Sequence, residues 1–154
     1  MTDKNVSIMN IGSMGYLPQV FKKIENEKKL NIVYLGGSIT MGCNATKTEL
    51  RYVDRSAKWW QTNFPDAEIS YFNAGIGATT SQFGVARVQE HVLDKQPDLV
   101  FVEFSVNDSS SPLFMETYES LVRRLLKAES VKAVVLINNL FYDTGTNAQG
   151  IHNA

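Results

Sequence analysis

The sequence predicts an α/β fold, a three-layer α/β/α sandwich around a parallel, flavodoxin-like sheet. Short apolar segments rich in β-branched and aromatic residues alternate with longer segments whose apolar residues recur at helical spacing. Glycine or polar residues follow each short apolar segment, where a strand would give way to a loop. This alternation favours parallel strands joined by right-handed helical crossovers.

The first half of the chain contains two of the predicted strands and two of the predicted helices. Residues 17–29 place Val20, Phe21 and Ile24 on one helical face, with Pro18 in the first turn. Residues 31–35 (NIVYL) form a buried strand that ends at two glycines. Residues 49–64 have helical spacing, and the following Pro-Asp ends that helix. Residues 69–73 (ISYFN) form the second strand.

The second half repeats the same pattern. Gly75 and Gly77 mark a turn after the second strand, and Thr79, Thr80 or Ser81 then caps a helix that runs to about residue 94. Residues 99–104 (LVFVEF) form the third strand, and a polar loop leads to a helix at 113–128. The fourth strand (AVVLI) lies within 131–140, and residues 142–154 form a polar, irregular tail.

Composition limits the classes of function. A length of 154 residues suits one domain, and a formal charge of -1 provides no electrostatic surface for nucleic acid or anionic membranes. The single cysteine, Cys43, cannot form an internal disulfide and is interpreted as a small packing residue. Two separated histidines and one cysteine predict no metal site, and no cofactor is expected. No signal peptide or membrane span is visible, so a cytoplasmic location is expected, although a removed signal stays open.

Four polar clusters follow the four predicted strands and should converge on one sheet edge. They are Gly36–Thr40, Asn73–Thr79, Ser105–Asp108 and Asn138-Asn139. Ser38, after two glycines, would present its hydroxyl on a tight turn. The backbone N–H groups near Ser38, an N–H from the Gly75–Ala78 turn and the Asn107 amide could together hold an oxyanion. Each cluster alone also suits an ordinary turn or helix cap, but their joint occurrence favours acyl transfer.

At these residues the sequence resembles the SGNH (GDSL-like) hydrolase superfamily, over roughly residues 30–140. The resemblance implies Ser38 as nucleophile, and Ser38, Gly77 or Ala78, and Asn107 as oxyanion donors, with Gly37 and Asp108 in support. It departs from the family pattern at three positions: Gly37 stands in place of aspartate, Ala78 in place of glycine, and Ser105 in place of glycine. The branch it resembles is related to carbohydrate acetyl esterases.

The family's Asp-x-x-His block, which carries the general base, is absent from the sequence. His91 lies inside a predicted helix, and His152, a supporting candidate, lies in the tail without an aspartate three residues before it. Residues 1–154 are therefore interpreted as one SGNH-like domain that is incomplete at its C-terminus and lacks the last strand–helix unit. The chain alone is expected to be nearly inactive, because serine needs an adjacent base.

The predicted function is hydrolysis of short acyl esters, with a small-molecule or carbohydrate ester as substrate. Two alternatives stay open: a nucleotide- or phosphate-binding α/β module, suggested by Gly36–Gly42, and a non-catalytic interaction fragment that forms a homo-oligomer through an exposed sheet edge. Trp59 and Trp60 could suggest a sugar platform, but their mid-helix position favours core or flank packing.

Overall fold

The computed structural model describes residues 10–139, in which a sheet of four parallel strands lies between two layers of helices. The strands are β1 (Lys29–Gly36), β2 (Glu68–Gly75), β3 (Leu99–Glu103) and β4 (Ala133–Leu136). The helices are α1 (Leu17–Glu27), α2 (Ser38–Met41), α3 (Tyr52–Asn63), α4 (Ser81–His91) and α5 (Pro112–Leu126). Short 3-10 turns occupy Thr48–Leu50 and Leu93–Lys95.

The strand order is β2-β1-β3-β4, and every neighbouring pair is parallel. This is the flavodoxin-like order expected from the sequence, in which the chain reverses direction across the sheet between β1 and β3. The register places Gly36 beside Gly75 on one side and beside Glu103 on the other. The carboxyl ends of the first three strands therefore lie level with one another, and the loops that follow them meet.

Both faces of the sheet are covered, as the near-continuous apolar strands require. Alternate residues of β1 point to opposite sides: Val33 and Leu35 pack with α4 and α5, and Ile32 and Tyr34 pack with α1 and α3. The Tyr34 ring stacks on Phe101 of β3 at a centroid distance of 4.8 Å. The described residues thus form two apolar cores, one on each face of the sheet.

Several predicted boundaries differ from the structure by one to three residues, including the end of α4 at His91 rather than near residue 94, and two of the differences have an identifiable reason. The helix expected from residue 49 begins only at Tyr52, because Arg51 adopts extended backbone (φ -61°, ψ 144°) after the 3-10 turn. Phe104 was expected in β3, but its carbonyl accepts the N–H groups of Asn107 and Asp108 at 3.1 and 3.0 Å. That turn ends the strand at Glu103 and forms the loop that carries Asn107.

Of the two tryptophans of α3, for which core or flank packing was expected, Trp60 packs in the core and Trp59 lies at its flank. Trp60 is 6% exposed and contacts the rings of Phe21 and Phe64, whereas Trp59 is 52% exposed and lies edge-on against Trp60. They lie toward the C-terminal end of α3, whereas Tyr52 at the other end of the helix contacts Thr40 beside Ser38. No helix between residues 10 and 139 is long and apolar enough to cross a membrane.

Candidate active site

Ser38 is the first residue of α2, directly after the β1–Gly37 turn, and is half-buried. Gly36 has to be glycine, because a Cβ there would overlap the Thr40 hydroxyl and the Glu103 carbonyl oxygen. The Ser38 carbonyl accepts the N–H groups of Gly42 and Cys43 at 3.0 and 2.9 Å, which closes the short helix. The nucleophile candidate thus stands at the carboxyl edge of the central strand, as the sequence predicted.

Polar contacts hold α2 against β2 and α3. The Asn73 side-chain amide donates to the Thr40 carbonyl at 2.8 Å, and the Thr40 and Tyr52 hydroxyls lie 2.8 Å apart. Burial raises the pKa of Tyr52 well above its ordinary value, so that this hydroxyl stays protonated and can donate. A Cβ on Gly75 would overlap the Met41 backbone nitrogen. The backbone around Ser38 is therefore fixed from two sides.

The turn after β2 lies beside the end of β1. The Ile76 N–H donates to the Gly36 carbonyl at 3.1 Å, and the Thr79 hydroxyl donates to the Ile76 carbonyl at 2.7 Å. Ala78 is exposed and adopts left-handed backbone with φ +57°. A non-glycine residue in this conformation is uncommon, and such strain is concentrated at functional sites. The backbone N–H groups of Gly77 and Ala78 are both carried by this turn.

Asn107 joins the third strand end to the other two. Its Nδ2 donates to the Thr79 carbonyl at 2.7 Å, which uses one amide hydrogen and leaves the second. A Cβ built on Gly37 would lie 2.9 Å from Asn107 Nδ2 and 3.3 Å from the Thr79 carbonyl oxygen. The three sequence clusters that contain Ser38, Ala78 and Asn107 therefore come together around Gly37.

Asp108 supports the site through α4. Its Oδ1 accepts the Ser81 N–H at 2.9 Å, and the side chain is buried. The sequence predicted a side-chain cap from Thr79, Thr80 or Ser81; this is wrong, because the N-cap residue Thr80 makes no side-chain capping bond. The Asp108 carboxylate supplies the cap from the loop after β3, and so ties α4 to the residue next to Asn107.

No base contacts Ser38 among the described residues. His91 lies on α4, with its Nδ1 3.2 Å from Arg87 Nη1, and no side chain between residues 10 and 139 hydrogen-bonds the Ser38 hydroxyl. His152 lies outside the described residues. Cys43 is an exposed free thiol, which differs from the packing role expected for it. Residues 10–139 contain no cluster of side chains that could hold a metal ion.

Two buried charged residues at the strand ends were missed by the sequence interpretation. Arg87 of α4 is 6% exposed and donates to the carbonyls of Ala74 and Gly36 at 2.7 and 3.1 Å. Glu103 is 1% exposed and accepts the Asn139 side-chain amide at 2.8 Å. Both had a signal in the sequence: Arg87 falls on the apolar face of its helix, and Glu103 lies inside an apolar strand.

The Glu103 carboxylate also organises the end of β4. The Ser105 hydroxyl lies 3.3 Å from Glu103 Oε1, and the Asn139 backbone N–H donates to Ser105 Oγ at 2.9 Å. Ser105 stands where the family pattern has glycine, and its hydroxyl is fully buried in this link. Residues 138–139 therefore leave β4 at the same sheet edge as Ser38, as the four clusters predicted.

Comparison with known proteins places these elements in a family. The model of the GDSL-like lipase/acylhydrolase family matches residues 34–152. No curated protein sequence matches the chain significantly. Among solved structures, a two-domain esterase (CEX) active on acetylated mannans is 49% identical, with a TM-score of 0.90 over 95% of this chain. The same esterase co-crystallised with mannopentaose gives 48% identity and a TM-score of 0.91.

More distant structures share the fold. A catalytic mutant of Axe2, an acetylxylan esterase from Geobacillus stearothermophilus, is 23% identical, with a TM-score of 0.59 over 70% of this chain. The chain spans 39% of the length of the two-domain esterase and 58% of the length of Axe2. The family match covers more than half of the chain and includes all the strand-end clusters described above. The chain belongs to the GDSL-like lipase/acylhydrolase family of the SGNH hydrolase superfamily.

Proposed function

We propose that this chain carries the nucleophile and the oxyanion hole of a carbohydrate acetyl esterase, with Ser38 as the nucleophile. The observation behind the proposal is that three loops meet around Gly37. A Cβ added to Gly37 would lie 2.9 Å from Asn107 Nδ2. Family membership supports ester hydrolysis, and the similarity to an esterase active on acetylated mannans supports acetylated polysaccharide fragments as the substrate class.

The proposed reaction has two steps. Ser38 Oγ attacks the acetyl carbonyl and loses its proton to a base; the tetrahedral intermediate then expels the sugar oxygen, which takes a proton and leaves as a hydroxyl. Water next attacks the acetyl-serine ester, which releases acetate and restores the Ser38 hydroxyl. Both steps pass through an oxyanion, so donors fixed before substrate arrives act twice in each turnover.

We assign the oxyanion donors to the backbone N–H of Ser38, an N–H of the Gly77–Ala78 turn, and Asn107 Nδ2. The first is at the start of α2, where backbone N–H groups have no partner within the helix. The second lies on a turn tied to Gly36 and held by the Thr79 hydroxyl. The third retains one amide hydrogen after bonding the Thr79 carbonyl. Gly37 and Asp108 take the supporting roles of spacing and helix capping.

The proton acceptor in this proposal comes from outside residues 10–139. His152 is the histidine of the sequence that lies outside residues 10–139 and is one candidate for this base. A group elsewhere in the polypeptide is the alternative candidate. Asn139, the last described residue, is held at the sheet edge by its bond to Glu103 at 2.8 Å. An oxyanion hole without a base retains only a small part of the catalysis, roughly 10³–10⁴-fold over water in serine proteases.

The experiment that tests the nucleophile is hydrolysis of a chromogenic aryl acetate by the chain and by Ser38→Ala. We expect turnover in the variant to fall to the rate in buffer. Cys43→Ala is the matched control, because Cys43 is an exposed nucleophile five positions away and should be dispensable. Because the described residues supply no base, both rates are also measured with imidazole present, and equal rates of the chain and Ser38→Ala under that condition would contradict the assignment.

The substrate class has its own test. Acetate release from acetylated manno-oligosaccharides should exceed release of butyrate from the butyrylated equivalents. The reverse order would contradict acetyl specificity. The other two functions suggested by the sequence, phosphate or nucleotide binding and a non-catalytic interaction role, gain no support from the family match. They predict, respectively, thermal protection by a nucleotide and self-association in solution.

A further inference from the structure

We infer that Arg87 is a positioning residue for the catalytic centre, whose guanidinium fixes the end of the Ser38 strand to the end of the strand that carries the Gly77–Ala78 turn. This inference rests on the proposed function. Arg87 lies on α4 and does not belong to any of the three sequence clusters that form the site.

The contacts of Arg87 reach both strands at once. Nη1 donates to the Ala74 carbonyl of β2 at 2.7 Å, and Nη2 donates to the Gly36 carbonyl of β1 at 3.1 Å. Gly36 is two residues before Ser38, and Ala74 is three residues before Gly77. The planar guanidinium holds two nitrogens at a fixed separation, so it also fixes the separation of the two carbonyls.

The same two strand ends are joined by only a few other bonds. Gly36 and Gly75 are the last registered pair of β1 and β2, and the Ile76 N–H donates to the Gly36 carbonyl at 3.1 Å. The Gly36 oxygen therefore accepts from Ile76 and from Arg87 together. Loss of the Arg87 bond should loosen the position of the oxyanion turn relative to Ser38, while the rest of the sheet keeps its ladder.

Stability alone does not explain a cation at this position. Arg87 is 6% exposed, makes no ion pair with a carboxylate of residues 10–139, and has an Nε without an acceptor in that part of the chain. Burial of the charge lowers the pKa of Arg87, and the described residues place no opposite charge against it. An apolar side chain of similar length would avoid the desolvation cost of an unpaired buried charge.

The surroundings of Arg87 keep the guanidinium in place. Its carbon Cζ lies 5.7 Å from the centre of the Phe83 ring, one turn earlier on α4, which covers it from solvent. His91 Nδ1, one turn later, lies 3.2 Å from Nη1 and accepts from it when that nitrogen is unprotonated. The side chain is thus held along its helix and reaches only the two strand-end carbonyls of the sheet.

The first test uses amide hydrogen exchange of the chain and of Arg87→Met, which keeps length and removes the charge. We expect the Ile76 amide to exchange about tenfold faster or more in the variant, because its acceptor is no longer held. The Glu68 amide, bonded to the Lys28 carbonyl at the opposite sheet end, should be unchanged. Equal acceleration at both ends, or none at Ile76, would overturn the inference.

Two further variants complete this test. Arg124→Met is the matched control, because Arg124 also bridges two elements, donating to Gln89 of α4 at 3.1 Å, but on the exposed surface. It should leave the Ile76 amide unchanged. If Arg87→Met does not fold, Arg87→Lys takes its place, since one ammonium replaces two fixed nitrogens. It should also accelerate exchange at Ile76, and wild-type protection in Arg87→Lys would overturn the inference.

The second test uses turnover of the aryl acetate. With imidazole present as the base, Arg87→Met should lower kcat at least tenfold with little change in KM, whereas Arg124→Met should leave both unchanged. An unchanged kcat in Arg87→Met, or an equal loss in Arg124→Met, would contradict positioning by Arg87. The exchange test does not use turnover and therefore reports on Arg87 alone. If the proposed function is wrong, this appears in a different result: wild-type hydrolysis does not depend on Ser38.

Discussion

The side-chain amide of Asn107 donates to the Thr79 carbonyl oxygen at 2.7 Å, which joins the loop after β3 to the turn after β2. This bond directs the amide toward Gly37, and therefore toward Ser38. It also couples two of the three proposed oxyanion donors, because movement of Asn107 would move the Gly77–Ala78 turn.

With imidazole present as the base, replacement of Asn107 by alanine should lower kcat for an aryl acetate by about 10²–10³-fold, the loss typical of one oxyanion donor. KM should change little, because the donor acts on charge that develops in the transition state. Steady-state kinetics measures both. Asn63→Ala is the control, since Asn63 bonds only the Trp59 carbonyl at 2.8 Å on the surface of α3. A kcat within twofold of wild type would contradict the role of Asn107.

Asp108→Ala should destabilise the fold by about 1–2 kcal/mol, because the buried Ser81 N–H at the start of α4 would lose its acceptor. Asp108→Asn should recover most of this loss, since an amide oxygen can accept the same bond. Urea denaturation gives the free energy of unfolding for each. The capping role is wrong if the alanine variant is as stable as wild type.

Gly84→Ala should destabilise the protein although alanine is the better helix former. A Cβ at this position of α4 would lie 2.9 Å from two ring carbons of Phe104, which is 1% exposed. Overpacking costs about 1–3 kcal/mol, against a gain of about 1 kcal/mol in helix propensity. Ala86→Gly, at an exposed position of the same helix, measures the propensity effect alone. A stabilised Gly84→Ala would show that α4 can move away from Phe104.

Asp54 should contribute stability that is lost in acid. Its carboxylate accepts Arg51 Nε at 2.6 Å and the Tyr71 hydroxyl at 2.9 Å, and these contacts, chiefly the first, hold the pKa of Asp54 below its ordinary value of 3.8. A depressed pKa in the folded state stabilises the fold above the unfolded value, and this stabilisation fades as pH falls through the folded value.

The variant Asp54→Asn tests that linkage. Unfolding free energies should differ from wild type at pH values above about 4, and the difference should shrink steadily below that, as the wild-type carboxylate takes up its proton. Asp66→Asn, on the exposed turn before β2, serves as the control. A difference between Asp54→Asn and wild type that stayed constant down to about pH 2 would exclude the ionised pair as its source.

The fold could be predicted from the sequence because strand and helix periodicities are strong and regular here. In a parallel sheet the loops that follow neighbouring strands lie at the same edge. The predicted strands therefore implied that Gly37, Thr79 and Asn107, which follow β1, β2 and β3, would lie close together. The Asp108 cap could not be predicted, because Asp108 and the Ser81 N–H that it accepts are 27 residues apart in the sequence. Capping rules consider only residues next to the start of the helix. Arg87 was missed for a similar reason: its partners lie 13 and 51 residues away.

The sequence also left open how an alanine could occupy position 78 in the oxyanion turn. The structure places it in left-handed backbone with φ +57°, and its side chain is exposed. The choice between Gly77 and Ala78 as donor stays a prediction. So do the homo-oligomer through an exposed sheet edge and the role of His152.

The role of Ser38 as nucleophile is best measured by the Ser38-dependent part of aryl acetate hydrolysis, taken as the rate of the chain minus that of Ser38→Ala, at increasing imidazole concentration. Imidazole can take the serine proton that no described residue accepts, and its own background reaction cancels in the difference. If Ser38 is the nucleophile, the difference should be positive and should rise with imidazole. Identical rates for the two proteins at every imidazole concentration would contradict Ser38 as the nucleophile.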